Sequence, residues 1–464
     1  MVFRYRGVSF MRVWGLAGML ATAAGAALAQ DPLASNNGLY PTADEWDGRF
    51  LAANLGYPTP ASNDILLAAN SWSPARDRAP LQLDTAAAYA DRLLDHLAQT
   101  LRPLIDQPAE WDPVAAGWYD LVWSGDGTKG PHGTDPTSGR EALMNTYSGQ
   151  IVPPETFSEP YQPTVPVQNH AVIYYNHVAA GMLGRLWSNI YLPDLSETEF
   201  PTGSIVVKVE AVTNNEDNWN VVANSGFWQV FRPTTEDQAS GKRNLVPQVI
   251  PARPFQIAVR VKDPVAAPET GWVFAIYVHD AGVEGDTPWD RFVPVGLQWG
   301  NDPDQARNFL ELTGTETLQQ SWINPAAPAF ARDTLGWEGR LAGPMDVATR
   351  HNVITVSGTR YTGDNSLPAS SCQSCHGAAE YPFTANLYPS PNRVLPRDGQ
   401  PFLLYDPGSP DWARWFQNRP GTEAMSANIG GKGLDYDLAL MNALSVHAEA
   451  VGNEAFTQGR LHVH

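Results

Sequence analysis

The chain has 464 residues, 49 of them acidic against 30 basic, for a formal charge of −19. That balance argues against nucleic acid and anionic membrane surfaces as partners. It suits a basic protein partner, although acidity serves solubility first.

Arg4, Arg6 and Arg12 precede an apolar stretch from Val13 to Leu28 that closes with Ala27-Leu28-Ala29 before Gln30. This is the pattern of a secretory signal with an Ala-x-Ala cleavage site, so residues 1–29 are expected to be removed. Met11 serves equally well as initiator, because Arg12 still supplies a basic start. No later segment approaches the roughly 18 consecutive apolar residues of a membrane span, which predicts a periplasmic or secreted protein without one. The remaining chain is too long for one ordinary core, and its length suggests two or three domains. With only two cysteines, an exported chain of this size depends on packing rather than a disulfide framework.

Residues 30–199 read as a mainly helical region with long loops. Asp84 can cap a helix whose Ala86, Tyr89, Ala90, Leu93, Leu94, Leu97 and Leu101 follow helical spacing, with Pro103 as its end. Gly, Pro, Asp and Thr crowd the stretch from Ser124 to Pro166 and predict ordered loop. A second helix is expected from His170 to about Ile190. It would put His170 and His177 on one face, a spacing that suits two buried structural histidines better than a metal-binding pair.

Residues 200–341 switch to a period of two. Ile205, Val207 and Val209 alternate with Val206, Lys208 and Glu210; Phe255, Ile257, Val259 and Val261 alternate with Gln256, Ala258, Arg260 and Lys262. Short strands between Gly and Pro signals predict an antiparallel, sandwich-like β-rich domain followed by a connector. Trp219, Trp228, Trp272, Trp289 and Trp299 suit either a carbohydrate platform or a core. Asn214–Asn218 and Asn301–Asp304 offer oxygen ligands, but they lack the register of a calcium loop and read as turns.

Residues 342–464 carry both cysteines, in Cys372-Gln373-Ser374-Cys375-His376. Cys-x-x-Cys-His is the signature of covalent haem c attachment: each thiol adds across a vinyl group, and the histidine becomes the proximal iron ligand. A zinc site would need a second pair of Cys or His ligands that no other cysteine supplies, and the loop-like flanks do not suit a thioredoxin motif. Ser409-Pro410-Asp411 is a helix start, and Asp435 can cap a last helix through Leu438, Met441, Leu444 and Val451, ended by Gly452.

On these residues the segment from about 342 to 455 resembles a small class I c-type cytochrome. The whole arrangement is similar to a group of bacterial proteins described only as cytochrome c family members. The resemblance implies a small all-α haem domain, one covalent haem c, and a methionine as sixth ligand. Met425, 49 residues after His376 in a Pro- and Gly-containing loop, fits that role. Met441 fits core packing better, and His351, His447 or a vacant site are the alternatives. The chain as a whole is thus expected to be an α+β multidomain protein that binds haem through Cys372, Cys375 and His376, with iron ligands His376 and Met425, and transfers single electrons. The competing readings are a periplasmic oxidoreductase with an upstream domain for a small-molecule substrate, and a haem-based ligand-binding module. No nucleotide-binding glycine loop, serine-nucleophile elbow or HExxH motif appears.

Overall fold

The computed structural model describes residues 37–58, 79–124, 136–242, 244–307, 317–346, 354–356, 359–361, 370–385, 387, 389, 402–403, 405, 408–426 and 430–451. The signal segment, His351 and Gly452 lie outside the described residues. Helix α1, Leu83–Asp106, buries Ala86, Ala90, Leu93, Leu97 and Leu101 along one face. Its cap is Gln82 rather than Asp84, and it runs one turn past Pro103 because Leu104 and Ile105 are buried there. That burial outweighs the single backbone bond a proline removes in the last turn.

The apolar face of α1 lies on an antiparallel sheet of eight strands. These are β1 (Tyr147–Val152), β2 (Val167–Tyr175), β3 (Ile205–Val212), β4 (Trp228–Arg232), β5 (Gln248–Lys262), β6 (Trp272–His279), β7 (Phe292–Gln298) and β8 (Ser321–Ile323). The order is β1-β2-β3-β5-β6-β7-β8, with β4 paired to the first residues of β5. Val172, Val207, Val209, Ile257, Val259 and Ala275 point toward α1, whereas Tyr175, Val206, Trp272, Phe274 and Ile276 belong to a second apolar cluster on the opposite face. One sheet covered on both faces therefore takes the place of the two packed sheets expected.

Three expectations change. The run from His170 is strand first: β2 ends at Tyr175, Asn176 caps helix α2 (His177–Leu186), and the Asn176 side chain accepts from Ala179 N at 3.0 Å. Burial on both faces had removed the alternation that marks a strand. The N-terminal region, with β1 and β2, thus contributes to the sheet rather than forming a helical unit. The C-terminal region is not all-α. Besides helices α3 (Cys372–His376), α4 (Pro410–Trp415) and α5 (Leu438–Ala450), it contains the paired strands β9 (Glu380–Tyr381) and β10 (Lys432–Gly433), and a small sheet of Ile354–Val356, Thr359–Tyr361 and Phe402–Leu403. Among the described residues no helix is long and apolar enough to cross a membrane.

Candidate functional site

Helix α3 is one turn long and is held at its start. Ser371 caps it, accepting from Ser374 N, while Ser371 N donates to Ser374 Oγ at 2.8 Å. Gln298 at the end of β7 donates to Ser371 Oγ at 3.0 Å and accepts from Gln373 N at 3.0 Å. Cys372 N donates to Leu341 O at 2.9 Å. The preceding backbone passes so close to Gly336 that a Cβ there would lie 2.1 Å from Ser370 O, which only glycine allows.

His376 ends the turn over β6, its ring 5.1 Å from that of Phe274. Its Nδ1 is 2.9 Å from the backbone oxygen of Tyr436. A carbonyl can only accept, so Nδ1 carries the proton and Nε2 keeps its lone pair, the tautomer of a metal-ligating imidazole. Burial, reinforced by the Arg260 charge, pushes His376 down to about 4, so the ring is neutral at ordinary pH. The two sulfurs form no disulfide, and burial raises Cys372 well above the usual thiol range.

The Tyr436 carbonyl is aimed by a strap, residues 432–437, that sequence reading missed. Asp435 and Tyr436 both adopt left-handed backbone, at φ 50° and 64°, a conformation bulky residues hold only where the surroundings impose it. The surroundings here are buried ions on the sheet. Lys262 Nζ contacts the two Asp435 oxygens at 2.7 and 2.8 Å, Trp272 Nε1 donates to Asp435 Oδ1 at 2.7 Å, and Phe200 N donates to Oδ2 at 2.8 Å. Arg260 pairs with Asp437 at 2.7 Å and donates to Tyr436 O. Asp437, not Asp435, caps α5, accepting from Leu440 N at 2.9 Å. Arg419 closes the arrangement: it donates to Gly377 O at 2.7 Å, and its own carbonyl accepts from the Tyr436 hydroxyl at 2.9 Å. The only sequence signal for this was the polar half of β5, of which Arg260 and Lys262 face the strap instead of solvent.

The same sheet face holds a second polar group. Lys208 Nζ contacts Glu210 at 2.7 Å and Asp346 at 2.9 Å, and Gln256 Nε2 donates to both carboxylates. Asn169 Nδ2 donates to Glu210 Oε1 at 2.6 Å. Burial, with Asp346 adding to it against the opposing pull of Lys208, raises Glu210 to about 8 from 4.5. A carboxyl whose folded value is raised stabilises below its unfolded value, and that contribution is lost as pH climbs through the folded one. Glu210→Gln is therefore expected to gain stability relative to wild type between pH 5 and pH 9, on the order of a few kcal/mol. Urea melts at the two pH values check this; an unchanged difference between variant and wild type counts against the raised value.

Met425 is nearly buried, in the same apolar cluster as Cys372. Its loop is tied to the motif side by Ser426 N, which donates to Glu380 Oε2 at 2.8 Å, and by Arg414, which donates to Met425 O. Met441 is buried in α5 as a core residue, and His447 Nε2 lies 3.1 Å from Tyr191 O. His170 is buried in β2 while His177 opens α2, so they share no helical face. All five tryptophans of the platform reading are buried and belong to the cores. Asn215 Oδ1 accepts from Asp217 N at 3.0 Å, as turn chemistry requires, whereas Asp302 Oδ1 accepts from Gln319 N at 2.6 Å, a contact between segments 17 residues apart.

Haem c demands two reduced thiols, a neutral imidazole with Nε2 available, and apolar cover. Cys372, Cys375 and His376 meet the first two, and the cluster containing Trp412, Trp415, Phe416 and Met425 offers the third. The buried indole N–H groups of Trp412 and Trp415 have no acceptor among the described residues, and haem carboxylates are acceptors. The donor set therefore fits the group. No known protein family, curated protein or solved structure matches the chain.

Proposed function

We propose that the chain is an exported, periplasmic or secreted, monohaem c-type cytochrome protein that transfers single electrons to or from a redox protein partner of basic surface. What carries the reading is a Cys-x-x-Cys-His turn whose histidine is fixed by Tyr436 O in the tautomer with Nε2 free. Cys372 and Cys375 would anchor the haem, and His376 and Met425 would hold its iron. The haem itself would supply the Fe(III)/Fe(II) couple. The protein's part is to hold His376 neutral and oriented, to cover the site with apolar side chains, and to keep the ligands in place between oxidation states.

Expression with a cytochrome c maturation system, followed by denaturation and acidic butanone extraction, tests this directly. Haem is expected to stay on the polypeptide, and Cys372→Ala with Cys375→Ala is expected to remove all covalent haem stain. Haem that extracts freely from wild type sinks the proposal. Met425→Ala is expected to abolish the weak ferric band near roughly 695 nm that marks iron-methionine coordination; a spectrum untouched by the change removes Met425 from the ligand set.

A second reading, an oxidoreductase acting on a small-molecule substrate, draws support from Lys208, Glu210 and Asp346 on the sheet face that carries the haem motif, since proton-accepting groups beside a redox centre suit substrate oxidation. It requires a compound that reduces the iron in wild type and fails to do so in Glu210→Gln with the haem spectrum intact.

A further inference from the structure

The sheet does more than support the haem motif. Arg260, on the central strand β5, has its guanidinium buried and divided between two groups of the strap: one nitrogen pairs with Asp437 at 2.7 Å and the other donates to Tyr436 O. That oxygen is the acceptor of His376 Nδ1–H at 2.9 Å. Two donors, one of them cationic, thus share a single carbonyl, whose backbone is fixed in left-handed geometry by the Lys262–Asp435 contact beside it. Tyr175 OH donates to the other Asp437 oxygen at 3.2 Å, so the ion pair is itself held in register with β2.

We propose that Arg260 is a positioning residue for His376, acting through the Tyr436 carbonyl, and that it raises the reduction potential of the centre. The proposal rests on the haem reading given above. A ligand imidazole that donates Nδ1–H to a strong acceptor becomes electron-rich and favours the higher oxidation state. A guanidinium on the same oxygen draws off part of its electron density and weakens it as an acceptor for the imidazole. It also places positive charge close to the His376 imidazole. Both effects favour Fe(II). Asp437 opposes them by neutralising part of the guanidinium charge.

The two halves of one ion pair should therefore move the potential in opposite directions, whereas a merely structural staple would give the same response on losing either half. The full chain is matured with haem and its midpoint potential is read by spectroelectrochemistry. Arg260→Gln is expected to favour Fe(III) by about tenfold or more, a drop of about 59 mV for one electron. Asp437→Asn is expected to raise the potential, and Arg260→Lys, which keeps the cation, to fall between Arg260→Gln and wild type. Shifts of the same sign in Arg260→Gln and Asp437→Asn, or none in either, overturn the proposal. Should Arg260→Gln not fold, the sign for Asp437→Asn decides. Covalent haem stain on the wild-type polypeptide is scored first, so failure of the haem reading is seen separately. In that case the test passes to 15N-labelled, haem-free protein. The His376 Nδ1–H resonance is expected to move downfield in Arg260→Gln, where the carbonyl is released from the guanidinium, and upfield in Asp437→Asn, where the guanidinium is no longer neutralised; an unmoved resonance in Arg260→Gln, or the same sign in both, sinks the claim.

Discussion

Lys262→Met is expected to destabilise the fold by about 3–5 kcal/mol, the cost of leaving a buried partner charge uncompensated. The ammonium contacts Asp435 at 2.7 and 2.8 Å, with the carboxylate fully buried. Methionine keeps the apolar stem against Trp272, whose ring lies 5.3 Å from the ammonium, so the loss reports charge rather than packing. Trp272 Nε1 and Phe200 N still donate to the carboxylate after the change, which keeps the expected loss inside that range. The double variant Lys262→Met with Asp435→Asn should recover much of it, because the pair is then neutral and asparagine tolerates left-handed backbone. Urea unfolding of the three proteins measures the effect. A loss below about 1 kcal/mol would show that solvent reaches the pair and that the strap is not anchored there.

The sequence exposed those parts of the site that are local in the chain. Cys372, Cys375 and His376 lie within five residues, and one turn of helix is enough to present them, so adjacency alone revealed the donor set. Ser409 as a cap was legible for the same reason, since it acts on Trp412 N at 3.2 Å, three residues away. Tyr436 was not legible, because nothing in residues 432–437 says that its carbonyl will meet an imidazole 60 positions earlier. Nor was the role of Arg260 and Lys262. Period-two alternation identifies which side chains share a face; it does not say whether water or another segment covers that face. The usual inference from polar alternation is solvent, and here the polar half of β5 is satisfied by Asp435, Asp437 and Asp346. Misplacing the α5 cap by two residues has the same root: Asp435 and Asp437 are equally good caps by type, and only the long-range contact with Lys262 commits Asp435 elsewhere. The strand β2 failed in the opposite sense. With both faces buried, its apolar run has no alternation to show, and the helix that does follow, α2, extended the misreading backward.

The piece covering residues 342–464, expressed alone with the maturation system, is expected to lose the native haem spectrum and to be digested rapidly by protease, while the full chain resists. The composition change near residue 342 suggests a separable haem unit, and a scaffold upstream would leave such a unit able to accept electrons by itself. The contacts argue for the other outcome. Asp435 and Asp437 have their cationic partners, Lys262 and Arg260, on β5; α3 is docked through Gln298 on β7; and His376 packs on Phe274 of β6. Removing the sheet would strip two buried carboxylates of their countercharges and expose the apolar face of which Cys372, Met425, Tyr436 and Leu444 form part. The exposed apolar face, together with the loss of the ion pairs that impose the left-handed strap, takes up a typical domain stability of about 5–15 kcal/mol, so the piece has too little left to fold on. Asp435→Asn with Asp437→Asn in the same piece separates the two causes. If the neutral version regains protease resistance and the haem spectrum, buried charge alone forbids independence; if it does not, the lost apolar face of β6 and β7 is decisive. A wild-type piece that keeps the full-length spectrum and accepts electrons from small donors would mean that the sheet only docks a partner, and that the buried ion pairs tie two self-sufficient units together.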